Sequence, residues 1–123
     1  MRALWCFTPD GERSIRGVLP PVSLHITSES VSYASAVNNS LSNRYGYTRS
    51  FVVDTSRNGN GSNGEWCNPA GRKLGTPSQT GGGAELLLWV KVPGDSDGQC
   101  GIAPGVPAGQ FSPDLAIRLI NGT

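Results

Sequence analysis

The sequence predicts an α/β fold built on a parallel sheet. Two short runs, Ser50–Asp54 and Leu86–Val92, are apolar along most of their length, which is typical of strands buried on both faces of a parallel sheet. Two other segments, 27–42 and 112–122, carry apolar residues at helical spacing. Helices that alternate with buried strands define the α/β class. The 123 residues are enough for one domain.

The N-terminal region gives only short-range signals. Ile15–Leu19 is an apolar segment stopped by Pro20 and Pro21, and a strand end fits this pattern better than a helix. The apolar stretch within Met1–Phe7 is too short for a signal peptide, so we expect none in this chain. No apolar run approaches the roughly 20 residues that a membrane-spanning helix requires.

The first helix is predicted from residue 27 or 28 to Ser42. Thr27 and Ser28 are both plausible N-caps, because a hydroxyl can accept a hydrogen bond from a free backbone N–H of the first turn. Polar Ser and Asn residues occupy the opposite face, so one side of the helix is expected to face solvent. The predicted buried stripe comprises Val31, Ala34, Val37 and Leu41.

The second helix is bracketed by clear end signals. Ser112 suits the N-cap, Pro113 the first helical position and Gly122 the position past the end. Asp114 in the first turn complements the positive end of the helix dipole. The predicted buried stripe comprises Leu115, Ala116, Leu119 and Ile120.

Two long irregular segments follow the predicted strands: residues 55–83, which we term the first long loop, and residues 93–111, the second long loop. Both are rich in the 17 Gly and 9 Pro of the chain, and each contains a Cys and carboxylates. Loops longer than about 12–15 residues are uncommon in compact domains and often carry function. In parallel α/β folds, sites form on loops that follow the carboxyl ends of the strands.

Charge and cysteine usage exclude several classes of function. A net charge of +1 gives no electrostatic reason to expect nucleic acid or an anionic membrane as partner. The chain has no C-x-x-C pair and one histidine, so the sequence predicts no metal site and no cofactor. For Cys6, Cys67 and Cys100, a Cys67–Cys100 bridge between the loops and three reduced thiols are both compatible with the sequence. Three sequons, at Asn38, Asn60 and Asn121, are compatible with secretion.

Residues 94–98 match the G-x-S-x-G motif of serine hydrolases. That nucleophile needs a helix directly after it and a base downstream. The following segment instead carries Pro104 and Pro107, and the single histidine, His25, lies upstream. We therefore do not expect a serine nucleophile, and we interpret His25 as a structural or surface residue.

The same loop carries a pair of carboxylates, Asp95 and Asp97, two residues apart. Lys91 or Arg57 could hold one of them ionised for acid/base chemistry, although on spacing alone a solvated Asp/Gly turn is the favoured interpretation.

Two tryptophans allow different interpretations. Trp66, in the first long loop, either stacks on a sugar or fills a small satellite core. Trp89, inside the second apolar run, is most simply a core residue.

Four segments of the sequence, taken in order, carry a resemblance to a known family. They are FVVDTSRNGNG (51–61), EWCNPAG (65–71), LWVKVPGDSDG (88–98) and PAGQF (107–111). Together they resemble glycoside hydrolase family 6, the cellobiohydrolases and endoglucanases that cleave β-1,4-glucan with inversion. The resemblance extends from about Gly17 to the C-terminus, is weaker over Val22–Leu41, and does not cover Met1–Ser14. It implies an unmatched N-terminal stub, residues 1–14, and a partial catalytic domain, residues 15–123.

The resemblance also implies a role for each candidate residue. Asp97 matches the proposed catalytic base, which acts on the attacking water directly or through a relay, and Arg57 matches an arginine that supports it. Lys91, Trp66 and Asp95 match sugar-binding positions, although position 95 usually carries Glu. Cys67 and Cys100 match a disulfide pair. The implied fold is the C-terminal portion of a distorted (β/α) barrel, and the implied parent enzyme is extracellular and acts on cellulose or cello-oligosaccharides.

The general acid of this family belongs to the earlier half of the barrel, which the chain does not match. We therefore expect this chain alone to be weakly active or inactive. One alternative is a non-catalytic β-glucan-binding fragment. Another is a truncated chain that aggregates through unpaired sheet edges.

Overall fold

The computed structural model describes residues 4–7 and 25–123. The predicted strand end at Ile15–Leu19 therefore lies outside the described residues. A small mixed sheet and two helices make up the regular structure. In chain order the elements are β1 (Leu4–Phe7), α1 (Thr27–Tyr45), β2 (Ser50–Asp54), β3 (Gln79–Thr80), β4 (Leu86–Leu88) and α2 (Pro113–Asn121).

The sheet has the strand order β1-β2-β4-β3. Its centre is the parallel pair of β2 and β4, in which Val53 is opposite Leu87 and Asp54 opposite Leu88. The predicted parallel pair is thus confirmed, and β2 has the predicted bounds. The two edge strands are antiparallel to their neighbours and were not predicted.

The second apolar run is a shorter strand than predicted. β4 ends at Leu88 instead of Val92. The N–H of Trp89 donates to the Ser78 hydroxyl at 2.9 Å, and the side chains of Val90 and Val92 are 47% and 56% exposed. The chain therefore leaves the sheet three residues after it enters, which frees the segment around Lys91 to contribute to a site.

Helix α1 covers the buried face of the sheet mainly through Ala34, which packs with Phe51, Val53 and Leu87. Its N-cap is Ile26, with no side-chain capping hydrogen bond, so the predicted caps at Thr27 and Ser28 are wrong. The Thr27 hydroxyl instead accepts from the Asn58 amide at 3.2 Å.

The rest of the predicted α1 stripe is only partly buried. Val31, Val37 and Leu41 are half-buried, whereas Ser30, which was not in the stripe, is buried. The helix extends to Tyr45, three residues beyond the predicted end at Ser42.

Helix α2 has the predicted ends. The Ser112 hydroxyl accepts from Leu115 N–H, Pro113 begins the helix, and Gly122 follows it in the left-handed conformation. Leu115 and Leu119 are buried, but Ile120 is 63% exposed, so its predicted place in the buried stripe is wrong. The helix is joined to the first long loop, since Leu74 N–H donates to the Leu119 carbonyl at 3.0 Å.

The sheet brings the two loop-bearing strand ends together. Asp54 and Leu88 are partners at the carboxyl ends of β2 and β4, and Thr55 N–H donates to the Leu88 carbonyl at 2.9 Å. The segments that follow the two strands therefore leave the sheet side by side. In the described part of the chain, no helix is long and apolar enough to cross a bilayer.

Candidate active site

The carboxylate of Asp97 lies at the centre of a buried ion-pair cluster. Arg57 donates from Nη1 to Oδ2 at 2.7 Å and from Nη2 to Oδ1 at 3.2 Å. Lys91 Nζ is 3.0 Å from Oδ1, and the backbone N–H of Asn68 donates to Oδ2 at 2.9 Å. The structure thus brings together three residues that the sequence singled out: Arg57, Lys91 and Asp97.

These four donors fill the acceptor capacity of the carboxylate, because an ionised carboxylate has about four lone-pair positions. Burial acts to raise the pKa of Asp97. The Arg57 hydrogen bonds and charge, the Asn68 N–H and the Lys91 ammonium outweigh it, so the pKa lies below its ordinary value. Asp97 is therefore held in its ionised form.

The two cations reach Asp97 from the ends of different strands. Arg57 follows β2, where a local turn is fixed by Ser56 N–H donating to Asp54 Oδ1 at 2.9 Å. Its side chain is 5% exposed. Lys91 follows β4, is 20% exposed, and also approaches the Ser96 carbonyl at 3.3 Å. Lys91 is the more accessible of the two donors.

A disulfide joins the two long loops. Cys67 and Cys100 are bonded, with their Cα atoms 5.8 Å apart, so the bridge that the sequence left open is present. It lies directly beside the cluster, because Cys67 precedes Asn68 and Cys100 is three residues after Asp97. The disulfide therefore fixes the two loops to each other next to the Asp97 carboxylate.

The two tryptophans differ in exposure. Trp66 precedes the bridge and is 51% exposed, so its ring does not fill a satellite core. Trp89 is half-buried and donates from Nε1 to the Thr76 carbonyl at 2.9 Å. Of the two, only Trp66 presents a broad ring surface to solvent.

Asp95 does not join the ion-pair cluster and makes no ion pair with another described residue. Its backbone pairs with Phe111. It also lines a cavity of about 20 Å³ together with Arg57, Arg72 and Arg118, which is room for one water molecule. The Nε of Arg57 is buried and has no hydrogen-bond partner among the described residues.

The serine of the G-x-S-x-G motif is not available for chemistry. Ser96 is 1% exposed, and its hydroxyl lies 2.9 Å from both the Gly98 and Val106 carbonyl oxygens. His25 Nδ1 forms a hydrogen bond with Glu29 Oε2 at 2.7 Å, at the start of α1. These positions agree with the sequence argument against a serine hydrolase.

Sequence reasoning missed two buried polar residues beside the cluster. Asn68 is 3% exposed and has a left-handed backbone with φ of 41°. Arg72 donates to the carbonyls of Gly61 and Ala70, and burial lowers its pKa despite the charge of Glu65. The Asn68-Pro69 dipeptide was the available signal, because Asn-Pro marks turns; nothing in the sequence marked Arg72.

The sequence profile of glycosyl hydrolases family 6 matches residues 22–123. Endoglucanase 1 of Streptomyces halstedii is 61% identical over 113 residues, covering 91% of this chain and 35% of that protein. Endoglucanase A of Cellulomonas fimi is 46% identical over 96 residues, covering 76% of this chain and 20% of that protein. The chain thus spans only about a third or less of these relatives.

Solved structures agree with these sequence matches. An endoglucanase from Mycobacterium tuberculosis, solved with methyl-cellobiosyl-4-deoxy-4-thio-β-D-cellobioside, superposes with a TM-score of 0.66 at 39% identity, covering 80% of this chain and 34% of that one. A family 6 enzyme from Orpinomyces superposes with a TM-score of 0.71 at 28% identity, covering 80% and 35%. From its sequence and its fold, this chain belongs to glycosyl hydrolases family 6.

Proposed function

We propose that this chain forms the base side, and part of the glucose-binding wall, of an inverting β-1,4-glucan hydrolase. The observation that carries the proposal is the buried cluster in which Asp97 meets Arg57 and Lys91. The relatives named as endoglucanases, and the cello-oligosaccharide analogue bound by one of them, support cellulose and cello-oligosaccharides as the substrate class.

The proposed reaction is a single displacement. Water attacks the anomeric carbon on the face opposite the leaving oxygen, the carbon–oxygen bond breaks, and the configuration inverts. Asp97 receives the proton of that water, directly or through a relay. The leaving oxygen takes a proton from a second carboxylic acid, about 6.5–9.5 Å from the base in such enzymes. By the family resemblance this acid lies in sequence that the chain does not match, so the chain alone is weakly active or inactive.

Asp97 needs one free acceptor position to take a proton, and its four donors leave none. Lys91 is the donor best able to move, because it is the more exposed cation and a flexible ammonium. We propose that Lys91 turns to a glucose hydroxyl when sugar binds, which frees one of the two acceptor positions of Oδ1. Arg57, buried and held as a planar fork, stays on the carboxylate and keeps it ionised.

The remaining parts of the proposal concern the surroundings of the cluster. Trp66 stacks on a glucose ring, and Asp95 contacts the sugar. Residues 15–123 belong to a distorted (β/α) barrel with its cleft at the carboxyl ends of β2 and β4. The parent enzyme is extracellular, which the Cys67–Cys100 bond supports because disulfides persist in oxidising compartments.

Isothermal titration of the chain with cellohexaose tests the sugar-binding wall. We expect binding that weakens about fivefold or more in Trp66→Ala, because stacking on an aromatic ring contributes on the order of 1 kcal/mol or more. Tyr45→Ala is the matched control, since Tyr45 is 67% exposed but lies before β2, at the other end of that strand. No detectable heat at millimolar ligand would overturn the proposal.

A non-catalytic glucan-binding role is the second candidate, and the filled acceptor positions of Asp97 favour it. Prolonged incubation with a soluble cellulose derivative tests the catalytic role. Slow release of oligosaccharide as the inverted anomer, lost in Asp97→Asn, would contradict a role in binding alone. Complete absence of release agrees with both roles, because the proposed acid lies in sequence that the chain does not match.

A further inference from the structure

Asn68 occupies a backbone conformation that residues other than glycine adopt rarely. Its φ of 41° lies in the left-handed region, where Asn is the most tolerated residue after Gly. The backbone is also tightly packed there: a Cβ at Gly101 would collide with the carbonyl oxygens of Cys67 and Asn68. Unusual backbone conformations of this kind persist only when the surroundings fix them.

Asn68 and Asp97 hold each other through two reciprocal hydrogen bonds. The Asn68 N–H donates to the Asp97 carboxylate at 2.9 Å, and the Asp97 N–H donates to Asn68 Oδ1 at 2.8 Å. One bond fixes the carboxylate and the other fixes the backbone from which it projects. Asn68 therefore contacts Asp97 at both its carboxylate and its backbone.

The NH₂ group of the same side chain extends the contact over the second long loop. Asn68 Nδ2 lies 2.9 Å from Ser96 Oγ, 2.7 Å from the Gly98 carbonyl and 3.2 Å from the Cys100 carbonyl. All of these acceptors flank Asp97 in sequence. A carboxylate or an alkyl group at position 68 would remove this shared donor and leave the three acceptors only with donors from their own loop, the N–H groups of Gly98, Cys100 and Ala103.

We propose that Asn68 is a positioning residue for Asp97: its amide aligns the second long loop, and its left-handed backbone aims the N–H at the carboxylate. The proposal rests on the base role proposed for Asp97. It adds a residue that acts through the geometry of Asp97.

The test compares Asn68→Gly with the wild-type chain. Glycine accepts a positive φ and keeps the backbone N–H, so this variant removes only the amide. We expect the pKa of the Asp97 carboxyl, followed by ¹³C NMR, to rise towards the value of an exposed aspartate. We also expect hydrogen-exchange protection of the Asp97 N–H to fall at least about tenfold.

Asn58→Ala is the matched control. Asn58 is also 3% exposed, but its amide donates to the His25 carbonyl and the Thr27 hydroxyl at the start of α1. This control is expected to lower stability and to leave the Asp97 pKa and protection unchanged. An Asn68→Gly chain that loses stability but keeps the wild-type Asp97 pKa would show a purely structural role and overturn the proposal.

Ser96→Ala provides a second route if Asn68→Gly does not fold. It removes one acceptor of the Asn68 amide and keeps Asn68 itself, so we expect the same changes to a smaller extent; an unchanged Asp97 pKa and protection would again overturn the proposal. The readouts need no sugar. If the wild-type chain binds no cellohexaose, the proposed function fails while the role of Asn68 is still decided.

Discussion

Around the sheet the buried side chains are mainly apolar, whereas in the two long loops they are mainly polar. Ala34, Phe51, Val53 and Leu87 pack into one cluster between α1 and the sheet. In the loops, the buried apolar side chains among the described residues are those of Pro69 and Ala103. The buried polar residues of the loops are Thr55, Ser56, Arg57, Asn58, Asn68, Arg72 and Ser96.

The difference shows that a segment of this chain can have a fixed geometry without forming a helix or a strand. The strands are short, and their side chains are held mainly by apolar packing, which is non-directional and does not fix the orientation of individual groups. The loops lack helices and nearly all strands, yet hydrogen bonds, an ion pair and a disulfide specify their geometry. Directional polar contacts are the means by which a site is aligned.

Removing the buried cation should cause the largest loss. In Arg57→Met the stem is roughly retained, but Asp97 keeps only Lys91 as counter-ion, and breaking a buried pair typically costs about 3–5 kcal/mol. Urea unfolding measures the change. Arg49→Met is the control, because Arg49 stacks on Tyr47 near the surface and its loss should cost about 1 kcal/mol or less. Equal losses in both variants would contradict a special role for the loop cluster.

Loss of the disulfide should come next. The double variant Cys67→Ser, Cys100→Ser reopens a loop with a sequence separation of 33, which corresponds to about 3.7 kcal/mol. Hydrogen exchange should show faster opening in the two long loops than in β2 and β4. Uniform acceleration across sheet and loops would mean that the two regions unfold as one unit.

Shortening a buried apolar side chain of the sheet tests whether apolar packing stabilises the sheet without affecting the site. Leu87→Ala empties a site that is 2% exposed, and such changes cost about 2–3 kcal/mol at the lower end of their range. Leu86→Ala, at the half-buried neighbour, should cost less. We expect neither to alter the Asp97 pKa measured by NMR. A raised Asp97 pKa in Leu87→Ala would show that sheet packing sets the site.

Acid should weaken the loops selectively, with the smallest expected effect. The pKa of Asp97 in the folded chain lies below its ordinary value of 3.8, so its contribution to stability is complete above 3.8. It is lost as the pH falls from there through the folded-state pKa. Unfolding free energies measured down to about pH 3 should therefore converge between wild type and Asp97→Asn. Parallel curves would contradict this linkage.

The sequence predicted correctly the elements whose limits are set by local residues, namely β2 and α2. The apolar run of β2 and the Ser112, Pro113 and Gly122 signals of α2 gave the observed bounds. Strand β3 has only two exposed residues, so it has no signal of its own and exists because β4 offers an edge. The early end of β4 depends on a distant hydroxyl, that of Ser78.

The same division holds for the site. Arg57, Lys91 and Asp97 could be predicted because they follow the predicted strands and their motifs resemble those of a known family. Asn68 was missed as a participant because its importance lies in five hydrogen bonds to one short segment. These hydrogen bonds form between two loops that are far apart in sequence, and the spacing of residues along the chain does not predict how the loops pack together.

The cystine also bears on how the chain should be produced. The chain has three cysteines, so one bridge can form in three ways: Cys6–Cys67, Cys6–Cys100 or Cys67–Cys100. Only the last joins the two long loops. Oxidative refolding that traps either of the other pairs would give a protein of correct mass with a displaced Asp97, and thiol mapping before any sugar-binding assay distinguishes these isomers. Cys6→Ser removes the ambiguity at its source.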